Sequence, residues 1–250
     1  LGGLLPPSSG SVSINGTEMS PNDLLGYSVM VSSDRDFDNS SASAVVAYAA
    51  LRPTWDQKLF DHYTHRFGFR LKGRKKLRKM SSGQVAVLTG AVALASGAPI
   101  TLLDEIQAPL DVPTRYAFYE ELLTLAADCM EGRRPRRTFL ISSHMVSELE
   151  NVAEDVVALK NGRLLAHESV DAFTSRICAI TGNAADVEGF LIDHPGTPVI
   201  SSRTLGSARE IVVDLRDRGI TDREIASHSL TLSPCSFQDA FAYLIQEKDQ

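Results

Sequence analysis

The chain is poor in cysteine, in charge of one sign and in long apolar runs. Its three cysteines, Cys129, Cys178 and Cys235, lie far apart and form no CxxC or Cys/His pattern. That odd count and spacing support neither a disulfide framework nor a zinc site, and they suit a reducing compartment. No run of about 18 apolar residues exists, so nothing in the sequence reads as a membrane span. The most apolar stretch, Val85 to Leu103, is interrupted by Gly90, Ser96, Gly97 and Pro99. No secretory signal is visible. A basic surplus is also missing. The net charge of -6 argues against a nucleic-acid partner. The two basic runs, Gly73 to Lys79 and Arg133 to Arg137, read as solvated loops or helix ends. There is no internal repeat or low-complexity tract. The first residue is Leu1 rather than Met, and LGGLLPPSSG reads as a helix end entering a turn. Upstream sequence is therefore expected.

What is present is ordinary globular material. Hydrophobic residues make up 43% of the 250 and charged residues 22%, enough apolar matter for a large domain with a small companion. Ser11 to Ile14 alternates as a short strand, and Asn15-Gly16 supplies a turn. Leu24 to Val31 reads as a strand, Ser32 to Ser43 as a loop and Ala44 to Leu51 as a helix stopped at Pro53. Trp55, Leu59, Tyr63 and Phe67 recur at helical spacing. That stripe is expected to face a core rather than to stack on bases. Ser82 to Ala95 predicts a helix, Pro99 to Leu103 a buried strand, Pro113 to Ala127 a helix and Arg137 to Ser143 a second buried strand. A helix over Val146 to Ala153 follows, and Asn161-Gly162 marks a hairpin between Val156 to Lys160 and Arg163 to His167. Strands alternating with helices predict an α/β fold with a parallel sheet. Past Ser169 the segments become shorter and more polar. Pro198 to Ser201 and Glu210 to Leu215 read as strands and Phe237 to Ile245 as a helix. The expected domains are 1–168 and a small α+β appendage over 169–250.

Three clusters carry candidate chemistry. Asp104-Glu105 ends an apolar strand, where open α/β sheets bind ligands. One acid there can hold Mg2+ and a second can orient a nucleophilic water. Met80-Ser81-Ser82-Gly83-Gln84 opens a helix with a serine cap, and exposed amides at a helix start attract anions. Ser142-Ser143-His144 ends the next apolar strand, so His144 is expected to lie near Glu105. Each cluster alone has a plain alternative. Acids end many strands, serines cap many helices, and a single histidine at a strand end is usually structural.

Together, in the order MSSGQ, LLDE, Asp111 and ISSH, these clusters resemble the ABC ATPase family over Leu1 to His167. Met80 to Gln84 is similar to the family's LSGGQ signature, Thr101 to Glu105 to its acidic strand motif, Asp111 to its D-loop aspartate and His144 to its switch histidine. The segment LRPTWDQKLFDHYTHRFGF more loosely resembles bacterial exporter ATPases of peptide and antibiotic efflux, and SPCSFQDAFAYLI resembles the final helix of their appendage. The resemblance implies a P-loop NTPase-like sheet with a helical signature subdomain, incomplete at its N-terminus. It implies ATP and Mg2+ as ligands, with Ser81, Ser82, Gly83, Gln84 and Asp111 contacting nucleotide across a dimer. Asp104 and, among Ser32, Ser33 and Asp34, most favoured Asp34 would serve the metal. Glu105 would polarise the attacking water and His144 would sense the γ-phosphate. The implied partners are a second ATPase subunit, identical or not, and a separate transmembrane permease touching Ser40 to Lys79, with the protein on the cytoplasmic face of the membrane. The sequence departs from the family at several points. GxxxxGK[ST] occurs nowhere, so ATP affinity of residues 1–250 alone is expected to be negligible. Met80 and Ser82 replace Leu and Gly in the signature, Ile106-Gln107 replaces Pro-Thr, and no Gln follows the strand ending near Ser32. A degenerate product without activity, and a non-transport ABC ATPase, remain open alternatives.

Overall fold

The computed structural model describes residues 1–33, 39–70, 75–215 and 219–246. They form two compact units, Leu1–His144 and Met145–Gln250, each considered by itself.

In the first unit, β1 (Ser13–Ile14) and β2 (Thr17–Glu18) pair through Asn15-Gly16, whose φ values of 50° and 77° are those of a two-residue hairpin turn. Helix α1 (Pro21–Tyr27) follows. It occupies half of what the apolar pattern reads as one strand over Leu24 to Val31. Ser20 and Asp23 form a reciprocal capping box and Pro21 stands at the first helical position, so local capping overrides the β-prone pattern. Only Ser28–Ser32 remains as strand β3. Next come α2 (Ala42–Ala49), α3 (Gln57–Arg66), a 3-10 turn (Leu77–Lys79), α4 (Ser82–Ala95), β4 (Ile100–Asp104), α5 (Val112–Met130) and β5 (Thr138–Ser142).

β3, β4 and β5 form a parallel sheet in that order, with Ser32, Asp104 and Ser142 level at its carboxyl edge. Helix α4 packs against β3 and β4 and has apolar residues on nearly all sides, which suits a helix buried all round. Leu88, Ala91 and Leu94 are fully buried, and Gly90 lets Phe118 of α5 approach closely. Half of the stripe expected over Trp55, Leu59, Tyr63 and Phe67 is core: Tyr63 and Phe67 are buried and stacked 6.0 Å apart, and Phe67 meets Phe118 at 5.9 Å, while Trp55 and Leu59 are partly buried. The second basic run divides. Arg133 and Arg134 pair with Asp128 and Asp56. Arg137 instead turns inward and donates to the carbonyls of Ala93, Leu94 and Ala98 and to Thr101 Oγ1.

The second unit begins with α6 (Val146–Leu149), shorter than the helix expected to reach Ala153, and the hairpin β6 (Asp155–Lys160) and β7 (Arg163–Ser169). Then follow α7 (Val170–Arg176), β8 (Ile177–Asn183), α8 (Ala184–Asp193), β9 (Val199–Leu205), β10 (Ala208–Asp214), α9 (Asp222–Ser227), β11 (Thr231–Pro234) and α10 (Phe237–Gln246). The four-stranded antiparallel sheet runs β11-β8-β10-β9, the split β-α-β arrangement. Both faces are covered. Ile180, Ile211 and Val213 pack with Val187, Phe190 and Ile225 from α8 and α9. Val212 packs with Phe173, Phe237 and Ala240, and with Val156 and Ala166 of the hairpin. The hairpin and α6 thus share the second unit's core, so this compact unit begins well before the expected boundary after residue 168. Among the described residues no helix is long and apolar enough to cross a membrane.

Candidate functional site

The parallel register dictates what meets at the sheet's carboxyl edge. Strand β4 alternates, with Thr101 and Leu103 turned into the core, and delivers Asp104 between two serines. Ser32 Oγ donates to Asp104 Oδ2 at 3.2 Å and Ser142 Oγ to Asp104 Oδ1 at 2.5 Å. The chain then turns sharply. Glu105 has φ 53°, in the left-handed region that residues other than glycine rarely occupy and that clusters at functional sites. Its N–H donates to Ser142 O at 3.3 Å and Ser142 Oγ at 3.1 Å. This turn brings Glu105 Oε2 to 2.7 Å from His144 Nδ1. An ionised carboxylate only accepts, so Nδ1 is the donor in this contact. The His144 side chain is 70% exposed and that of Glu105 31%, so the pair is open to solvent and to a ligand.

A second locus forms at two helix starts. Ser81 caps α4: its Oγ accepts from Gln84 N at 3.2 Å, and Gln84 Oε1 accepts from Ser81 N at 3.3 Å. The capping box leaves the hydroxyl proton of Ser81 able to donate. Gly83 fits because a Cβ there would stand 3.0 Å from Pro109 O, so α4 begins hard against the loop leading to Asp111. Asp111 caps α5 by accepting from Thr114 N at 2.9 Å. The Thr114 side chain and amide together hold its carboxyl below the usual aspartate range. Ser81, Ser82, Gly83, Gln84 and Asp111 line one groove of about 720 Å³, together with Lys75, whose Nζ lies 3.5 Å from Gln84 Oε1.

The nine candidate residues therefore divide. Asp104, Glu105 and His144 meet at the sheet edge. Ser81 to Gln84 and Asp111 meet in the groove. Asp34 lies outside the described residues. Ser32, less favoured than Asp34 on sequence, and Ser142, named there only as a neighbour of His144, both bond to Asp104, and Gln107 bonds to Ser142. The signal for the serines was the parallel register itself, since both end strands at the level of Asp104. No group of three metal-binding side chains occurs among the described residues. A single carboxylate oriented by two hydroxyls still suits Mg2+, which takes one or two carboxylates along with phosphate oxygens and water.

No family model matches the chain. Among curated proteins it is 27% identical over 171 residues to the rat phospholipid-transporting ATPase ABCA3, covering 66% of this chain and 10% of that protein. It is 30% identical over 98 residues to an uncharacterized ABC transporter ATP-binding protein of Nostoc sp., covering 39% of this chain and 27% of that protein. In fold it matches the solved ATP binding subunit of an ABC transporter at a TM-score of 0.57, with 19% identity over 69% of this chain and 72% of that one. In sequence the chain is similar to ABC transporter ATPases, and in fold to a solved ATP binding subunit. The chain spans about a tenth of the length of the first curated relatives it matches. In its parallel sheet the strand ending in Asp104 is central, and the strand leading to His144 lies beside it.

Proposed function

We propose that this chain is the nucleotide-handling part of an ABC transporter and couples ATP hydrolysis to export through a separate membrane subunit. The single observation that carries the reading is the Glu105–His144 contact at 2.7 Å beside Asp104. In this reading Glu105 orients and accepts a proton from the attacking water. His144 holds that carboxylate through Nδ1 and turns Nε2 toward the γ-phosphate. Asp104 holds Mg2+, with Asp34 as the second candidate ligand; the bound ion would neutralise phosphate charge. Across a head-to-tail dimer, Ser81 and the amides at the start of α4 donate to the γ-phosphate held by the facing subunit, with Asp111 linking the two sites. Residues 1–168 supply this machinery in our reading and 169–250 act as an accessory domain. Residues 1–250 alone bind ATP weakly, because the phosphate-cradling motif is not among them. The working assembly is two ATPase subunits on the cytoplasmic face of a membrane, with the permease against Ser40 to Lys79.

The test separates the signature groove from nucleotide binding. In the full-length protein, Ser81→Arg fills the groove with a long cation. ATP-dependent dimerisation by light scattering and steady-state hydrolysis should both fall at least tenfold, about the loss of one well-placed transition-state donor, while each subunit still binds ATP. Wild-type turnover in this variant would sink the reading.

A further inference from the structure

The turn after Glu105 contains a buried amide that the proposed mechanism leaves unused. Gln107 is fully buried. Its Nε2 donates to Ser142 O at 3.1 Å, while its Oε1 has no hydrogen-bond partner among the described residues. Its chain neighbours Ile106 and Leu110 are buried and apolar. For stability alone, an apolar side chain of the same length would serve better than an amide with one orphaned end. Departures from that rule concentrate where a site must be held in a particular geometry.

The atom Gln107 grips is the centre of the acidic site. The Ser142 carbonyl accepts from both Gln107 Nε2 and Glu105 N, and the Ser142 hydroxyl accepts from Glu105 N while donating to Asp104. Glu105 stands in the left-handed region, so its backbone returns to an ordinary conformation unless its surroundings hold it. Two residues past Ser142, on the same strand end, stands His144.

We propose that Gln107 is a positioning residue: its carboxamide fixes the end of β5 at Ser142 and thereby sets the Glu105 backbone so that the carboxylate meets His144. The functional part of this proposal rests on the reading of Glu105 and His144 as the hydrolytic pair. The amide acts through one hydrogen bond to main chain, at Ser142 O, rather than on the substrate. Without it, one N–H from a strained residue is left to hold Ser142 against Glu105, and the strand ends that carry Glu105 and His144 drift apart. Misplacement of about 1 Å at such a pair is enough to cost orders of magnitude in rate.

The experiment replaces Gln107 by Met, which keeps length and volume and removes both polar ends. Three quantities are read. The melting midpoint should stay level or rise, because an unsatisfied buried acceptor is gone. The 15N signals of the His144 ring should change from a single Nδ1-protonated form to a mixture of tautomers. In the full-length protein kcat for ATP should fall about tenfold or more, with KM within about twofold, the split expected when ground-state binding is untouched. Gln107→Leu, which keeps bulk but cannot donate to the carbonyl, should give the same NMR and kinetic result if the Met variant fails to fold. An unchanged His144 spectrum, or a lowered midpoint with unchanged kcat, overturns the proposal and leaves the amide as packing. Should the wild-type protein hydrolyse no ATP, the catalytic reading fails by itself, and the NMR result still decides whether Gln107 sets the contact.

Discussion

Gly97 and Glu105 both carry left-handed backbone, at φ 65° and 53°, for opposite reasons. Gly97 needs its missing side chain. A Cβ there would stand 2.2 Å from Thr54 O, where Thr54 Oγ1 also donates to Ser96 O. Gly97→Ala should therefore destabilise the first unit by about 2 kcal/mol or more, from both the clash and the φ penalty. Denaturant unfolding measures this, and a loss under about 0.5 kcal/mol would show the turn to be looser than described. Glu105 tolerates its conformation because Ser142 holds it. The residue types at the site were legible in the sequence: two acids after an apolar strand, a capped helix start, a histidine at a strand end. The hydrogen bonds joining them were not, because they depend on which strands are neighbours. Ser32 and Ser142 are unremarkable as letters and become ligand-orienting groups only once β3, β4 and β5 lie in register. Arg137 misled in the other direction, since a basic run gives no sign that one of its members will cap carbonyls inside the fold.

At the scale of elements, long periodic segments were readable and short ones were not. Helices α4 and α5 and strands β4 and β5 fall where apolar pattern and capping residues put them. The strand expected over Leu24 to Val31 failed because the Ser20–Asp23 capping box outweighed β-prone composition. Helices α7, α8 and α9 are short, and tertiary packing rather than periodicity holds them. The ends of α8 and α9 are joined by a histidine. His228 Nε2 lies 3.0 Å from Asp193 Oδ2, and its Nδ1 lies 3.1 Å from Glu224 O. Two acceptors at the two ring nitrogens favour the imidazolium, and the Asp193 bond in particular holds the His228 pKa above its ordinary 6.5. Asp186, the Ser227 hydroxyl and the His194 ring, 5.9 Å away, also face it. A folded pKa above the unfolded one gives stabilisation that is complete below about 6.5 and is lost as pH rises through the folded value. The melting midpoint of the second unit should thus fall as pH rises above about 6.5, and His228→Gln should flatten that slope. An equal slope in the variant would place the dependence on other groups.

For the whole molecule, the first unit was legible as a parallel α/β sheet because its apolar strands are separated by helices. The second was legible only as a small mixed appendage. Its strand order, β11-β8-β10-β9, joins segments far apart in sequence, and no local pattern encodes that pairing. The covering of both sheet faces explains why Val156 and Ala166 of the Asn161-Gly162 hairpin belong to the same core as Phe237 of the last helix. The chemistry sits in the first unit at two loci, an acidic edge and a groove at two helix starts. That division suits a dimer in which each subunit offers one locus to each of two nucleotides. The most direct test of this account is steady-state ATP hydrolysis at saturating Mg2+-ATP by the full-length protein and its Glu105→Gln variant. Loss of the base should lower turnover about a hundredfold or more, with the melting midpoint unchanged. Equal turnover in the two proteins would contradict it.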